Sequence, residues 1–109
     1  MPRELENHLK VAKLLLELGA NPNVRDNDDN TPLHLASGNG HVEVAEILLD
    51  SGVDVNARNN DGAIPFHFAS RGGHLKIVWM LLNRRADIRA RDKNYKTPLH
   101  WVLQDKDVT

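Results

Sequence analysis

The stretch "NTPLHLASGNGHVEVAEILLDSGVDVNAR", residues 30–58, is echoed 33 residues later by "AIPFHFASRGGHLKIVWMLLNRRADIRAR", residues 63–91. The same offset joins Pro32 to Pro65 to Pro98 and His34 to His67 to His100, and in a second register His8 to His41 to His74. All six histidines therefore fall on two repeat positions. Gly19 and Gly52 match with Arg85 as the third member, and Arg25, Arg58 and Arg91 close successive units. A fixed period of this kind marks a repeat architecture, each unit being one supersecondary element stacked on its neighbours.

Each unit reads as two short helices. Thr31 offers a side-chain oxygen as N-cap, and Pro32 takes the first helical position, where its missing N–H costs nothing. This helix is predicted to run to about Gly38, and Gly40 breaks the chain. Residues 41–52, "HVEVAEILLDSG", then place Val44, Ile47 and Leu48 on one face and Glu43, Glu46 and Asp50 on the other. Gly52 is predicted to end the second helix in the left-handed conformation. The following "VDVNARNNDG", rich in Asn, Asp and Gly, suits a protruding turn or hairpin. Helices of roughly ten residues are unstable alone in water, so the units must bury their faces against one another. Ala36 and Ala69 recur in the first helices, where small side chains let neighbours approach closely. The expected fold is an all-α repeat solenoid of helix-turn-helix units with protruding β-turn or hairpin loops.

The period, with "TPLHLASGNGH", "LLLELGANPN" and "ILLDSGVDVNAR", resembles the ankyrin repeat family over nearly the whole chain. In that alignment residues 26–58 and 59–91 are complete repeats of a single domain spanning 1–109. Residues 1–25 correspond to a second helix with its outgoing turn, and 92–109 to an incoming turn with a first helix. Three departures from the family pattern stand out. The turn glycine present as Gly62 is replaced by Asp29 and by Tyr95; if that position needs a positive φ, Asp tolerates it and Tyr does so poorly, so the last turn is the one expected to be remodelled. Ile64 replaces the capping Thr, a loss on the order of 1 kcal/mol that should weaken the middle repeat. Arg85 in place of glycine should strain or alter its cap.

Bulk properties exclude several function classes. A chain of 109 residues with 14 Lys and Arg against 15 Asp and Glu has a net charge of -1 and no global field for nucleic acid or an anionic membrane. The charge is polarised nonetheless: residues 1–58 hold 5 basic and 10 acidic side chains (-5), and residues 59–109 hold 9 and 5 (+4). With no cysteine there is no disulfide scaffold, thiolate metal site or cysteine nucleophile. The first residues mix charges into their apolar positions, unlike a signal peptide, and no window approaches the roughly 18 apolar residues of a membrane span. A cytoplasmic location, with the nucleus as the other choice, is the expectation.

His34 and His41, seven residues apart, raise the question of a metal pair or a general base. Three copies in identical local context favour a hydrogen-bonding role instead, because a catalytic site is needed once. Ser37, Ser51 and Ser70 lack nucleophile-elbow context, and Asp26, Asp28 and Asp29 lack the later bidentate Glu of a calcium loop. No catalytic residue, cofactor or metal ligand is assigned, and the chain is not expected to be an enzyme.

The resemblance implies instead that the chain binds another protein through its turn tips and the concave face of its first helices. Residues matching those positions are Asn27, Asp28 and Asn30 in the first turn, Asn60, Asp61 and Ala63 in the second, and Lys93, Asn94 and Lys96 in the third. Arg71 and Gln104 match the groove side of the first helices. Trp79, equivalent to Lys13 and Glu46, falls on the outer side of a second helix, where an exposed Trp would serve as an interface anchor; the plainer reading is that it lies flat against the stems of Arg84 or Lys76. The stretch "LLDSGVDVN" ending at Asn56 is similar to the pattern preferred by asparaginyl hydroxylases acting on ankyrin repeats; the plainer reading of Asn56 is a turn residue. Trp101, Val102 and Leu103 are expected at core-facing positions of a first helix with no second helix over it. Either the chain is cut from a longer repeat array, or these ends cover themselves, or one copy's C-terminal half meets another's N-terminal half in a head-to-tail contact that would also pair basic end with acidic end. A non-catalytic protein-interaction module is thus the leading reading. An occluding inhibitor of an enzyme or transcription factor, and a self-assembling or engineered scaffold, are the alternatives.

Overall fold

The computed structural model describes residues 3–104. Six helices follow one another: α1 (Arg3–Glu17), α2 (Pro32–Asn39), α3 (Val42–Asp50), α4 (Pro65–Gly72), α5 (Leu75–Asn83) and α6 (Pro98–Leu103). α2, α4 and α6 stack as one layer and α1, α3 and α5 as another, with α2 paired to α3 and α4 to α5 across the layers. The described residues contain no strand, and none of their helices is long and apolar enough to cross a membrane.

The helix starts follow the repeat. Thr31 Oγ1 accepts the His34 N–H at 3.3 Å, and the Thr31 N–H donates back to His34 Nδ1 at 3.0 Å. Thr97 and His100 repeat both bonds. At α4 only half survives: the Ile64 N–H reaches His67 Nδ1 at 3.1 Å, but Ile64 has no oxygen to return. Its side chain is instead fully buried in the core. Burying an Ile contributes about 1.5–3 kcal/mol, which offsets a cap worth about 1 kcal/mol, so the expected weakness of the middle repeat is compensated on the spot.

The core lies between the two layers, formed by Leu33, Ala36, Phe66 and Ala69 from the first helices and Val44, Ala45, Leu48, Leu49, Ile77 and Leu81 from the second. The face of α3 is thus rotated from the expected one: Ala45 and Leu49 are buried, whereas Ile47 is only half-buried. α3 is packed against by α1, α2 and α5, and that widens its apolar stripe.

Both suspect backbone positions keep the form of their glycine equivalents. Arg85 adopts φ 67° where Gly52 has 78°. Asp29 and Tyr95 adopt 63° and 62° where Gly62 has 72°. The Tyr95 turn closes through Tyr95 N–H to Asp92 O at 2.9 Å, as Gly62 N–H closes on Asn59 O, so the last turn is not remodelled.

Bonds spaced about one period apart tie the units together. Because Nδ1 of His34 and His67 accepts a backbone N–H, Nε2 carries the proton; it donates to Ala63 O and Lys96 O respectively, each at 2.9 Å. Burial, outweighing these bonds, lowers both ring pKa values. Arg25 Nη1 donates to Arg58 O at 2.8 Å and Arg58 Nη1 to Arg91 O at 2.7 Å. Arg84 caps α3 from the next unit, donating to Leu49 O at 2.7 Å and pairing with Asp50.

Candidate functional site

The three turn tips share one scaffold. Asp26, Asn59 and Asp92 occupy the same repeat position, and each side chain's Oδ1 accepts backbone N–H groups two and four residues on, at 2.8–3.0 Å. These bonds hold Asp26 below the usual carboxylate range, with the Asn30 N–H the main contributor. Burial pushes Asp92 up, but the Lys96 N–H, the Trp101 indole and the Asn94 N–H outweigh it and hold it low. Adjacent tips are joined by Asn60 N–H to Asp28 O at 3.0 Å and Lys93 N–H to Asp61 O at 2.8 Å.

On this scaffold Asn27, Asp28, Asn60, Asp61, Lys93 and Asn94 are exposed, side by side in that order. Lys96 and Asn30 are half-buried, and Asn30 Oδ1 is taken by Asn59 Nδ2 at 2.9 Å. Ala63 does not belong with them. It has no exposed surface, and its carbonyl turns inward to His34. Asp61 is paired with Lys93 at 2.9 Å, which raises the Lys93 pKa.

Arg71 and Gln104 are exposed on the side of α4 and α6 that meets the tips. Between them lies an open depression of about 350 Å³, bordered by Asp61, Asn94 and Lys96 on the tip side and by Trp101 on the helix side. The Arg71 guanidinium sits 4.4 Å above the Trp101 ring centre and 5.4 Å from that of Phe68. Trp101 is fixed from below, its Nε1–H donating to Asp92 Oδ2 at 2.9 Å and its ring 5.0 Å from His67 and 5.5 Å from Phe68. Trp101 therefore faces the groove and not the core, contrary to the sequence expectation; Val102 is half-buried and Leu103 exposed. Leu35, Phe68 and Trp101 share one repeat position, and this column is the site feature that reading single motifs misses.

Trp79 lies on the outer side of α5, 60% exposed and away from this groove. Asn56 is half-buried, its Oδ1 accepting the Asp87 N–H at 2.9 Å and its Nδ2 reaching Arg85 O at 3.4 Å. An enzyme acting on Asn56 would have to open these contacts first. Among the described residues no three His, Asp or Glu side chains gather into a metal-binding group.

The chain is 62% identical over 32 residues to Protein fem-1 homolog A of Danio rerio, covering 29% of this chain and 5% of that protein. It is 59% identical over 29 residues to Protein fem-1 homolog C of Homo sapiens, covering 27% and 5%. Such matches span about one-twentieth of the length of these relatives. The family model described as "Ankyrin repeats (3 copies)" matches residues 4–92. Most of the chain lies within that match, and it carries the stacked helix pairs and bonded turns described above. The chain therefore belongs to the ankyrin repeat family, whose repeats generally mediate protein–protein interaction.

Proposed function

We propose that this chain is a non-catalytic module that binds a partner protein across its turn tips and the groove between those tips and the first helices. One observation carries the reading: bonding beneath the tips repeats unit by unit, while the exposed side chains above it change at the third tip and at every groove position. The tip pairs run Asn27–Asp28, Asn60–Asp61 and Lys93–Asn94, and the groove position runs Gly38, Arg71, Gln104. Repeated scaffolding with unrepeated exposed chemistry separates a structural role from a recognition role. The absence of cysteine fits a cytoplasmic or nuclear location for the chain. The test is affinity capture from lysate followed by rebinding of each purified partner to a variant carrying N27A, D28A, N60A and D61A. Loss of rebinding supports the surface. Retention there with loss in W79A moves the site to the outer face. If the partner is an enzyme or transcription factor, its activity on binding decides whether the module also occludes it.

A second reading, self-association, has its own observation. On α1, Val11 and Leu15 are 54% and 53% exposed, whereas their repeat equivalents Val44 and Leu48 are 8% and 0% exposed. At the other end, Leu99 is 66% exposed where Leu33 and Phe66 are buried. An apolar hollow lies beside it, walled by Phe66, Leu75, Val78 and Val102. α1 is in register with the second helix that would cover this hollow, so one copy's α1 would complete another's α6. A mass by light scattering that stays monomeric at high concentration removes this reading.

A further inference from the structure

Resting on the groove reading above, we propose that the depression beside Arg71 recognises an acidic side chain of the partner protein, received by Arg71 and Lys96 over the Trp101 ring. Four charged groups line this depression, and the two anions are already satisfied. Asp61 pairs with Lys93 from the neighbouring tip, and Asp92 accepts the Trp101 indole and two backbone N–H groups. Neither cation is satisfied: among the described residues, Arg71 and Lys96 have no side-chain hydrogen bond or carboxylate partner. The local demand is therefore for an anion, although the chain as a whole is slightly acidic.

Arg71 is also held in place without being consumed. Its guanidinium carbon lies over the Trp101 ring and within 5.4 Å of the Phe68 ring centre, a contact that restricts its rotamers while its N–H groups take no partner among the described residues. Such stacking lowers the entropy cost of a bidentate bond, an advantage that lysine at the same place would lack. The indole is itself anchored to Asp92 and wedged against His67, so the stack is a fixed platform. The feature occurs once, since the same repeat position is Gly38 in the unit before and Gln104 in the unit after.

The test follows the Arg71 Nε–H and Trp101 indole cross-peaks of 15N-labelled protein during titration with acetylated, amidated tetraglutamate. Tetraglutamine and inorganic phosphate serve as parallel probes. Saturable shifts of both peaks with tetraglutamate, absent with tetraglutamine and weakened several-fold by 0.3 M salt, are expected. R71Q should abolish them, K96Q should weaken them several-fold, and R71K should recover only part. R71Q installs the residue that the next unit already carries, on an exposed site, so it is expected to fold; an unchanged far-ultraviolet dichroism spectrum checks this. Equal shifts with tetraglutamine, tetraglutamate shifts that persist in R71Q, or response to phosphate alone would overturn the inference. A captured partner lost from the tip variant but retained by R71Q would overturn acid recognition and leave the groove standing. One retained by both would remove both.

Discussion

At His34 and His67 the fold holds a neutral ring, because Nδ1 must accept a backbone N–H while Nε2–H donates to the next unit. Protonation would cost the acceptor bond and place a charge in the core. Both pKa values are lowered from 6.5, by burial foremost; that of His41 is lowered too, by burial and then by His74. The unfolded chain therefore takes up these protons at a higher pH than the folded one. Stability is full above about pH 6.5 and falls as pH drops below it, by up to about 1.4 kcal/mol per pH unit per histidine, levelling once the folded pKa is passed. Urea unfolding at pH 7.5, 6.5 and 5.5 measures this, and a constant midpoint would contradict it. Ser37 presents the opposite case, a buried hydroxyl with no partner among the described residues. Ser37→Ala should therefore stabilise the protein by about 0.5–1 kcal/mol, from relief of the stranded oxygen and better helix propensity. A lower unfolding midpoint in that variant would mean the oxygen is satisfied after all.

Among the elements, the end of α5 is the clearest place to recover stability. Arg85 occupies the left-handed region at φ 67° that Gly52 fills after α3, and a side chain there costs about 1 kcal/mol or more. Arg85→Gly should raise the unfolding free energy by roughly that amount, and Gly52→Arg should lower it similarly; unfolding midpoints left unchanged in both would dismiss backbone strain. The 33-residue period made the helices, caps and these φ > 0 positions legible, because each depends on residues within a few places of itself. The groove was less legible because it depends on contacts between units. Ala63 looked like a tip residue until His34, 29 residues away, drew its carbonyl inward. Trp101 looked like core from its place in the last first helix, but Asp92, nine residues earlier, holds its indole toward the tips. Arg71 and Gln104 were readable as groove positions by register alone; the stack of Arg71 on Trp101 was not, since nothing in a period says that residues 30 apart touch.

Across the whole molecule, stability runs along one dimension. The middle helices bury side chains on both sides, whereas no residue of α1 is buried and in α6 only Pro98 is. In a solenoid each unit's stability comes from itself and its neighbours, so opening should begin at both ends and reach α3 and α4 last. Native-state hydrogen exchange at low concentration should show α1 and α6 exchanging fastest. The same experiment separates an isolated stack from a head-to-tail one. If copies join, α6 gains an apolar cover and the exposed face of α1 gains a first helix to pack on. His100 Nε2, which meets no carbonyl among the described residues, would then face the next copy's first turn. Protection of α1 and α6 would rise together with protein concentration while α3 and α4 stay unchanged. Because the halves carry -5 and +4, that gain should shrink in 0.3 M salt without vanishing, since the screened part is electrostatic and the buried part is not. Protection at both ends that is independent of concentration would instead describe a module whose exposed apolar ends remain apart.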